Sequence, residues 1–553
     1  MRRLELAIFL FLFFVETGYA DPTFSDIIGV TSLVPGMRGE MLTVLKGTEP
    51  SKIPVKIIAI VPQQAGSNIR SLILIKLESG VKLAQGMSGS PVYFDGLLAG
   101  AVRSGWEDSD QKLALITPIE EMLKITPPPS SSAQRSLSLA SVSGLSASVP
   151  SMLELSRTLG LTFTQGTGAG AVQVKSEKFK PGSAITVMLV WGDVEISALG
   201  SVTAVSKNGE FLAFGHEFLK RGSVNYPTSG AVIHDIVNSA EFPFKLSSAT
   251  GINGTVIQDR DAGLFGKTGK YAPSVSCKFV FRNLDNNSQR VCNFRTVPDE
   301  FLASALIEKV CKGLTEEIWD RKGQGTMTVT LGIDGKSVPK SWARRDAFFS
   351  EEDVITESFK QTKAILSSFF TQPYGEVFPV GFTVTVEASS RPRILTIEDI
   401  ETVNEASPGE EIEVKVKLRP WRGEPFTENY KLKIPEESTG VVELIVRGGG
   451  TQPFTQAGIN GGWKSVTSLE RMLKEFKAAD CNNQLILELN VDKAGQALTE
   501  VLTKKGRPRD LLPEEEEYLS ETKERRKKEG TLKIYDSEYV VDGLMRRIIH
   551  TER

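Results

Sequence analysis

The chain has 553 residues, of which 40% are hydrophobic and 24% charged, with a formal net charge of −3. That length exceeds what one hydrophobic core organises and predicts several domains. The near-balanced charge removes any electrostatic basis for binding nucleic acid. Four cysteines and three histidines, without ligand-like spacing, argue against a metalloenzyme, and no cofactor is expected.

In chain order, Arg2 and Arg3 precede an apolar run from Leu6 to Val15, and Gly18-Tyr19-Ala20 stands before Asp21. This is the order of a secretory signal peptide over residues 1–20. The competing reading, an uncleaved anchor, has too short an apolar run to span a bilayer comfortably. An exported protein, periplasmic or extracellular, is therefore expected, with no integral membrane domain after signal removal. Residues 21–126 read as consecutive short strands, with Ile53 to Val61 and Ser71 to Leu77 dense in Ile, Leu and Val. Val92-Tyr93-Phe94 and Leu97 to Val102 flank Asp95-Gly96, a two-residue hairpin signal. A short helix is expected from Pro118, with Ile119, Met122 and Leu123 on one face.

Residues 127–150 turn to Pro and Ser and read as a flexible linker, although Leu137, Leu139, Val142 and Leu145 offer a means of docking. A second β-rich segment spans 151–267, with strands at Ala184 to Val190, Ala198 to Ser206 and Glu210 to Phe214 and a turn at Asn208-Gly209. Residues 268–387 mix strands and helices: Asp299 to Cys311 has helical periodicity, and Ser350 with Asp353 forms an N-cap signal. Cys277 and Cys292 lie on neighbouring strand-like runs, where a cross-strand disulfide and two buried thiols both fit. Residues 388–553 form a C-terminal β-rich domain, in which Ile412, Val414, Val416 and Leu418 alternate with charge as one buried face. A helix is expected near Thr467 to Phe476. Another, from Pro513 to Glu529, has Glu514 to Glu517 first and Arg525 to Lys528 last, which complements the helix dipole. Gly448-Gly449-Gly450 and Gly461-Gly462 lack the Lys-Ser of a phosphate loop.

The chemistry concentrates at Gly86-Met87-Ser88-Gly89-Ser90-Pro91. A serine nucleophile needs a tight turn that presents its hydroxyl beside backbone N–H groups aimed at the developing oxyanion. Gly86 and Gly89 permit such a turn, and the N–H groups of Gly86 and Ser88 would form the oxyanion hole. The base must come from His216, His234 or His550. His216 ends the apolar run Phe211 to Gly215 and is the leading candidate. His234 reads as structural, and His550 is three residues from the end of the sequence.

Gln85 to Tyr93, the strand and turn ending at Phe214-Gly215-His216, and Gly254 to Arg260 resemble the SpoIVB-type serine peptidase family, over about residues 21–267. The resemblance implies a chymotrypsin-like double β-barrel that cleaves peptide bonds, with Ser88 as nucleophile and His216 as general base. Two features differ. The serine segment precedes the histidine segment, so the order is permuted. The family's aspartate position is shortened and carries Glu78, leaving Asp259 and Asp193 as rivals for third member, with Asp259-Arg260-Asp261 also readable as a surface ion-pair cluster. The expected fold is mainly β, a permuted chymotrypsin-like double barrel followed by a mixed α/β segment and a C-terminal β-rich domain. Two functions are weighed: an exported serine endopeptidase acting on a protein or peptide substrate, and a catalytically weak scaffold that binds an envelope partner through its C-terminal domains.

Overall fold

The structure, a computed structural model, describes residues 24, 26–65, 68–125, 138–167, 178–239, 243–436, 438, 440–451, 468–490 and 523–551. The signal segment, the first part of the Pro/Ser stretch, Gly461-Gly462 and Glu514 to Glu517 lie outside the described residues. Strand outweighs helix, 52% to 17%, so the mainly β expectation holds. Among the described residues no helix is long and apolar enough to cross a membrane.

Six strands, β1 (Arg38–Val44), β2 (Pro50–Ala65), β3 (Asn68–Leu77), β4 (Pro91–Phe94), β5 (Leu97–Ser104) and β6 (Leu113–Pro118), close a barrel in the order 1-2-3-6-5-4. Alternate residues fill its interior, among them Met41, Val55, Ile73, Ile75 and Ile116. Asp95 and Gly96 join β4 to β5 with φ of 52° and 78°, the two positive values a type I′ hairpin turn requires. Helix α1 (Ile119–Leu123) follows, buried at Ile119 and Met122.

Strand β7 (Ser138–Ser143), α2 (Pro150–Leu159) and β8 (Leu161–Gln165) come next, then β9 (Ala184–Gly192), β10 (Glu195–Val205), β11 (Glu210–Ala213), β12 (Gly222–Val237), β13 (Phe244–Arg260) and β14 (Gly263–Thr268). The linker expectation fails over the described residues 138–150. Val142 and Leu145 are buried, and β7 pairs with both β10 and β8, so apolar residues override the Pro/Ser composition. The six strands β9 to β14 pair as a ring, β9–β10–β11–β14–β13–β12 and back to β9. Counted from β9, that order is again 1-2-3-6-5-4. Leu98, Ala101, Met122, Ala204, Leu212 and Phe265 form an apolar seam between the two rings.

The mixed segment contains β15 (Val275–Asn283), β16 (Ser288–Thr296), α3 (Glu300–Trp319), β17 (Gly325–Gly335), β18 (Trp342–Ser350), α4 (Val354–Thr371) and β19 (Val380–Ser389). Asp299 caps α3 by accepting the N–H groups of Phe301 and Leu302, and Asp353 caps α4 through Thr356. Its strands run β18-β17-β19-β15-β16, and β16 pairs with β9, so one sheet continues into the second ring. Cys277 faces Phe294 and Cys292 faces Phe279, two positions apart in register. All four cysteines are free thiols, which resolves the pairing question against a disulfide.

The C-terminal region holds β20 (Ile394–Glu401), β21 (Glu411–Pro420), β22 (Phe426–Lys433), β23 (Gly440–Gly448), α5 (Leu469–Ala478), β24 (Gln484–Asn490), β25 (Leu532–Asp536), β26 (Val540–Asp542) and β27 (Leu544–Thr551). Two four-stranded sheets, β22-β21-β20-β26 and β25-β24-β23-β27, share a core that includes Val414, Val416, Leu444 and Leu487. Helix α5 belongs elsewhere: its Leu469, Met472, Leu473 and Phe476 join the core of the mixed segment and second ring.

Candidate functional site

Ser88 and His216 occupy the same place in the two rings. Each lies on the turn between the third and fourth strands, β3 to β4 for Ser88 and β11 to β12 for His216. The serine turn is tied down on both flanks. Gly89 N–H donates to Val102 O at 2.8 Å, Ser201 N–H to Ser88 O at 2.7 Å, and Thr203 Oγ1 to Gly89 O at 2.8 Å. Met87 plugs the turn into the first barrel's core. Gly89 has φ +89°, and a Cβ there would lie 2.1 Å from Ser201 O and 2.3 Å from Phe214 N, so only glycine fits. Three polar groups stay open between these anchors. Among the described residues Ser88 Oγ has no hydrogen-bond partner, and the N–H groups of Gly86 and Ser88 donate to none.

The histidine turn bends through two consecutive positive φ values, 69° at Phe214 and 66° at Gly215. A positive φ is uncommon for a bulky residue and is held here by burial of the Phe214 ring. Thr117 Oγ1, from β6, donates to Gly215 O at 2.6 Å. His216 is buried, and its Nδ1 lies 2.5 Å from Glu217 O. A carbonyl only accepts, so Nδ1 carries the proton and Nε2 is left as the acceptor. Burial pushes the His216 pKa below its ordinary value; the Arg103 charge also lowers it, while the Glu217 carbonyl and carboxylate oppose. The net effect favours the neutral ring.

The two turns meet at one carbonyl. Val102 O, which holds Gly89 N–H, also lies 2.6 Å from where a Cβ on Gly215 would stand. Phe214 N–H donates to Ser201 O at 3.3 Å, and Ser201 in turn holds Ser88 O. Among the described residues no hydrogen bond joins Ser88 Oγ to His216.

Of the three candidate acids, Asp259 bonds the segment that carries His216. It is fully buried at the end of β13 and accepts N–H groups from Phe218 and Leu219, both at 2.8 Å, and from Arg221 at 3.3 Å. Burial raises its pKa, and the three N–H groups pull it back. It orders the backbone that follows His216 rather than the ring. Its burial removes it from the surface ion-pair reading. Asp261 does make ion pairs, with Arg70, Arg103 and Lys220. Glu78 is exposed and pairs with Arg38 at 3.1 Å, while exposed Asp193 accepts Asn293 N–H at 2.7 Å. Neither touches the His216 segment among the described residues. His234 is exposed and bonded to Ser248 Oγ at 2.8 Å, and His550 is exposed on β27.

The group on His216 Nδ1 is thus a backbone carbonyl, a partner that residue types cannot reveal. Two side chains also went unmarked in the sequence, Glu217 and Arg103. Each carried a signal, as a charge inside an apolar run, Phe211 to Phe218 and Leu97 to Ser104 respectively. No group of three or more His, Cys, Asp or Glu residues suited to a metal occurs among the described residues. The chain matches no family model, no curated protein and no solved structure.

Proposed function

We propose that the chain is an exported serine endopeptidase of SpoIVB-like, chymotrypsin-related type, with its two barrels in permuted order. The observation that carries the reading is the equivalent placement of Ser88 and His216 in two rings of identical strand order, with both turns meeting at Val102 O. The open N–H groups of Gly86 and Ser88 supply what an oxyanion hole needs, two donors beside the nucleophile. Export rests on the signal-peptide pattern in residues 1–20.

In this reading Ser88 Oγ attacks the carbonyl of a peptide substrate as Nε2 of neutral His216 accepts its proton. The imidazolium then returns the proton to the leaving amine, and water releases the acyl-enzyme by the reverse sequence. The Oγ–Nε2 hydrogen bond forms as substrate binds. A carbonyl on Nδ1 fixes the same tautomer that a carboxylate would, but offsets less of the imidazolium charge. Loss of that carboxylate costs on the order of 10⁴-fold in trypsin, the worked example of this effect, so slow turnover is expected. A fluorophosphonate should label the mature protein, and Ser88→Ala and His216→Ala should each abolish labelling. Labelling that survives Ser88→Ala refutes the assignment.

That Asp259, Asp193 and Glu78 all bond elsewhere than the His216 ring among the described residues favours one second reading, a weakly active scaffold that binds an envelope partner. It requires a cellular phenotype that survives Ser88→Ala but is lost on deletion of residues 388–553.

A further inference from the structure

Arg103 joins the two turns through side-chain chemistry. It leaves β5 of the first barrel, directly after Val102, and its side chain is 10% exposed. Nη1 donates to Asp261 O at 2.7 Å and to Gly215 O at 3.5 Å, and Nη2 meets the Glu217 carboxylate at 3.4 Å. The fork therefore grips the residues on both sides of His216, and the turn after β13 as well. A guanidinium suits this task because its donors are fixed in one plane and its charge persists when buried. The two-residue step Val102-Arg103 holds both turns, the serine side by a carbonyl and the histidine side by a cation.

We propose that Arg103 is a positioning residue for His216, locking the histidine turn of the second ring onto the first-barrel strand that also anchors the Ser88 turn. The proposal rests on the peptidase reading. It also has an electrostatic consequence that does not. The charged groups around His216 are Arg70 and Arg103 from the first barrel, Glu217 and Lys220 from its own segment, and Asp259 and Asp261 from the β13–β14 turn. Arg103 disfavours protonation of the ring and Glu217 favours it. Removing the Arg103 charge should therefore move the His216 titration midpoint upward.

The test uses the full mature chain with isotope-labelled histidine, in which three ring signals suffice to follow each midpoint. Arg103→Gln should raise the His216 midpoint, leave those of His234 and His550 in place, and slow fluorophosphonate labelling by about tenfold or more, within the hundredfold that an ångström of misplacement costs. Arg103→Lys keeps the charge and loses the fork. Its midpoint should stay near the parent's while labelling slows, and this variant carries the test if Arg103→Gln does not fold. A folded Arg103→Gln chain with unchanged midpoint and labelling rate overturns the proposal, as does an Arg103→Lys chain that labels at the parent rate. If the parent chain never labels at Ser88, the peptidase reading fails and the positioning role of Arg103 fails with it; an upward midpoint shift then shows a purely electrostatic contact.

Discussion

Gly89→Ala is the most exacting perturbation the geometry offers. The added methyl meets Ser201 O at 2.1 Å and Phe214 N at 2.3 Å, both backbone atoms of the second ring, so no side-chain rotation relieves it. Holding alanine near φ +89° costs about 1–2 kcal/mol, and forced overpacking about 1–3 kcal/mol more, giving roughly 2–5 kcal/mol in all. Gly96→Ala is the control, because Gly96 also has positive φ but nothing within 4 Å of its Cβ position. It should cost only the first part. Urea unfolding read separately for the barrels gives the stability difference, and fluorophosphonate labelling gives the site. Gly89→Ala should label about 100-fold more slowly, since the clash lifts the serine turn off the histidine side, while Gly96→Ala should label normally. A Gly89→Ala chain with Gly96→Ala stability and parent labelling would refute the idea that the turn is wedged between the rings.

Lys245 is buried in β13 with Nζ donating to Thr43 Oγ1 at 2.8 Å, and burial pushes its pKa to about 7. The unfolded value is about 10.4, so between these two the unfolded chain binds more protons and stability rises with pH, by roughly 2 kcal/mol from pH 7 to pH 9. Lys245→Met should flatten that dependence and raise the urea midpoint at pH 7; an unchanged slope would contradict the buried amine. Cys277, Cys292 and Cys311 are buried, and burial pushes the half-buried Cys481 thiol to about 11. A thiol reagent at pH 7 should titrate almost none of them in the native chain and four in denaturant, whereas two in denaturant would reveal a disulfide.

Much of the fold was legible where local chemistry decides it. Asp95-Gly96, the helix over Asp299 to Cys311 and the alternation along β21 each rest on interactions within a few residues, and each stands as the sequence implies, while the Ser350–Asp353 signal marks the right helix but the cap itself is Asp353. The tight turn at Gly86 to Gly89 was legible for the same reason, because both glycines take positive φ to meet local backbone demands. What escaped depends on distant pairing. The Pro/Ser stretch reads as a linker until β10 and β8 are there to receive β7. Helix α5 reads as part of the C-terminal domain until Trp342 Nε1 and the Arg344 guanidinium take its carbonyls. The partner of His216 was hidden more deeply, since a carbonyl belongs to every residue and is selected only by the bend at Phe214-Gly215. The Arg103 fork likewise needs three separate segments brought together before its role exists.

The pairing of β16 with β9 runs through Thr296 opposite Val190, Arg295 opposite Trp191 and Phe294 opposite Gly192. Excising the two-ring part after residue 267 would leave that end of β9 as a raw margin of unsatisfied N–H and C=O groups. Such a margin recruits whatever extended chain is at hand, including another copy of itself. The mixed segment thus works as a selvage, finishing the cloth so that it does not ravel into its neighbours. An excised part should come out as aggregate or swapped dimer even with the Ser88 and His216 turns intact, so the minimal chain that keeps both turns in soluble form extends at least through β16.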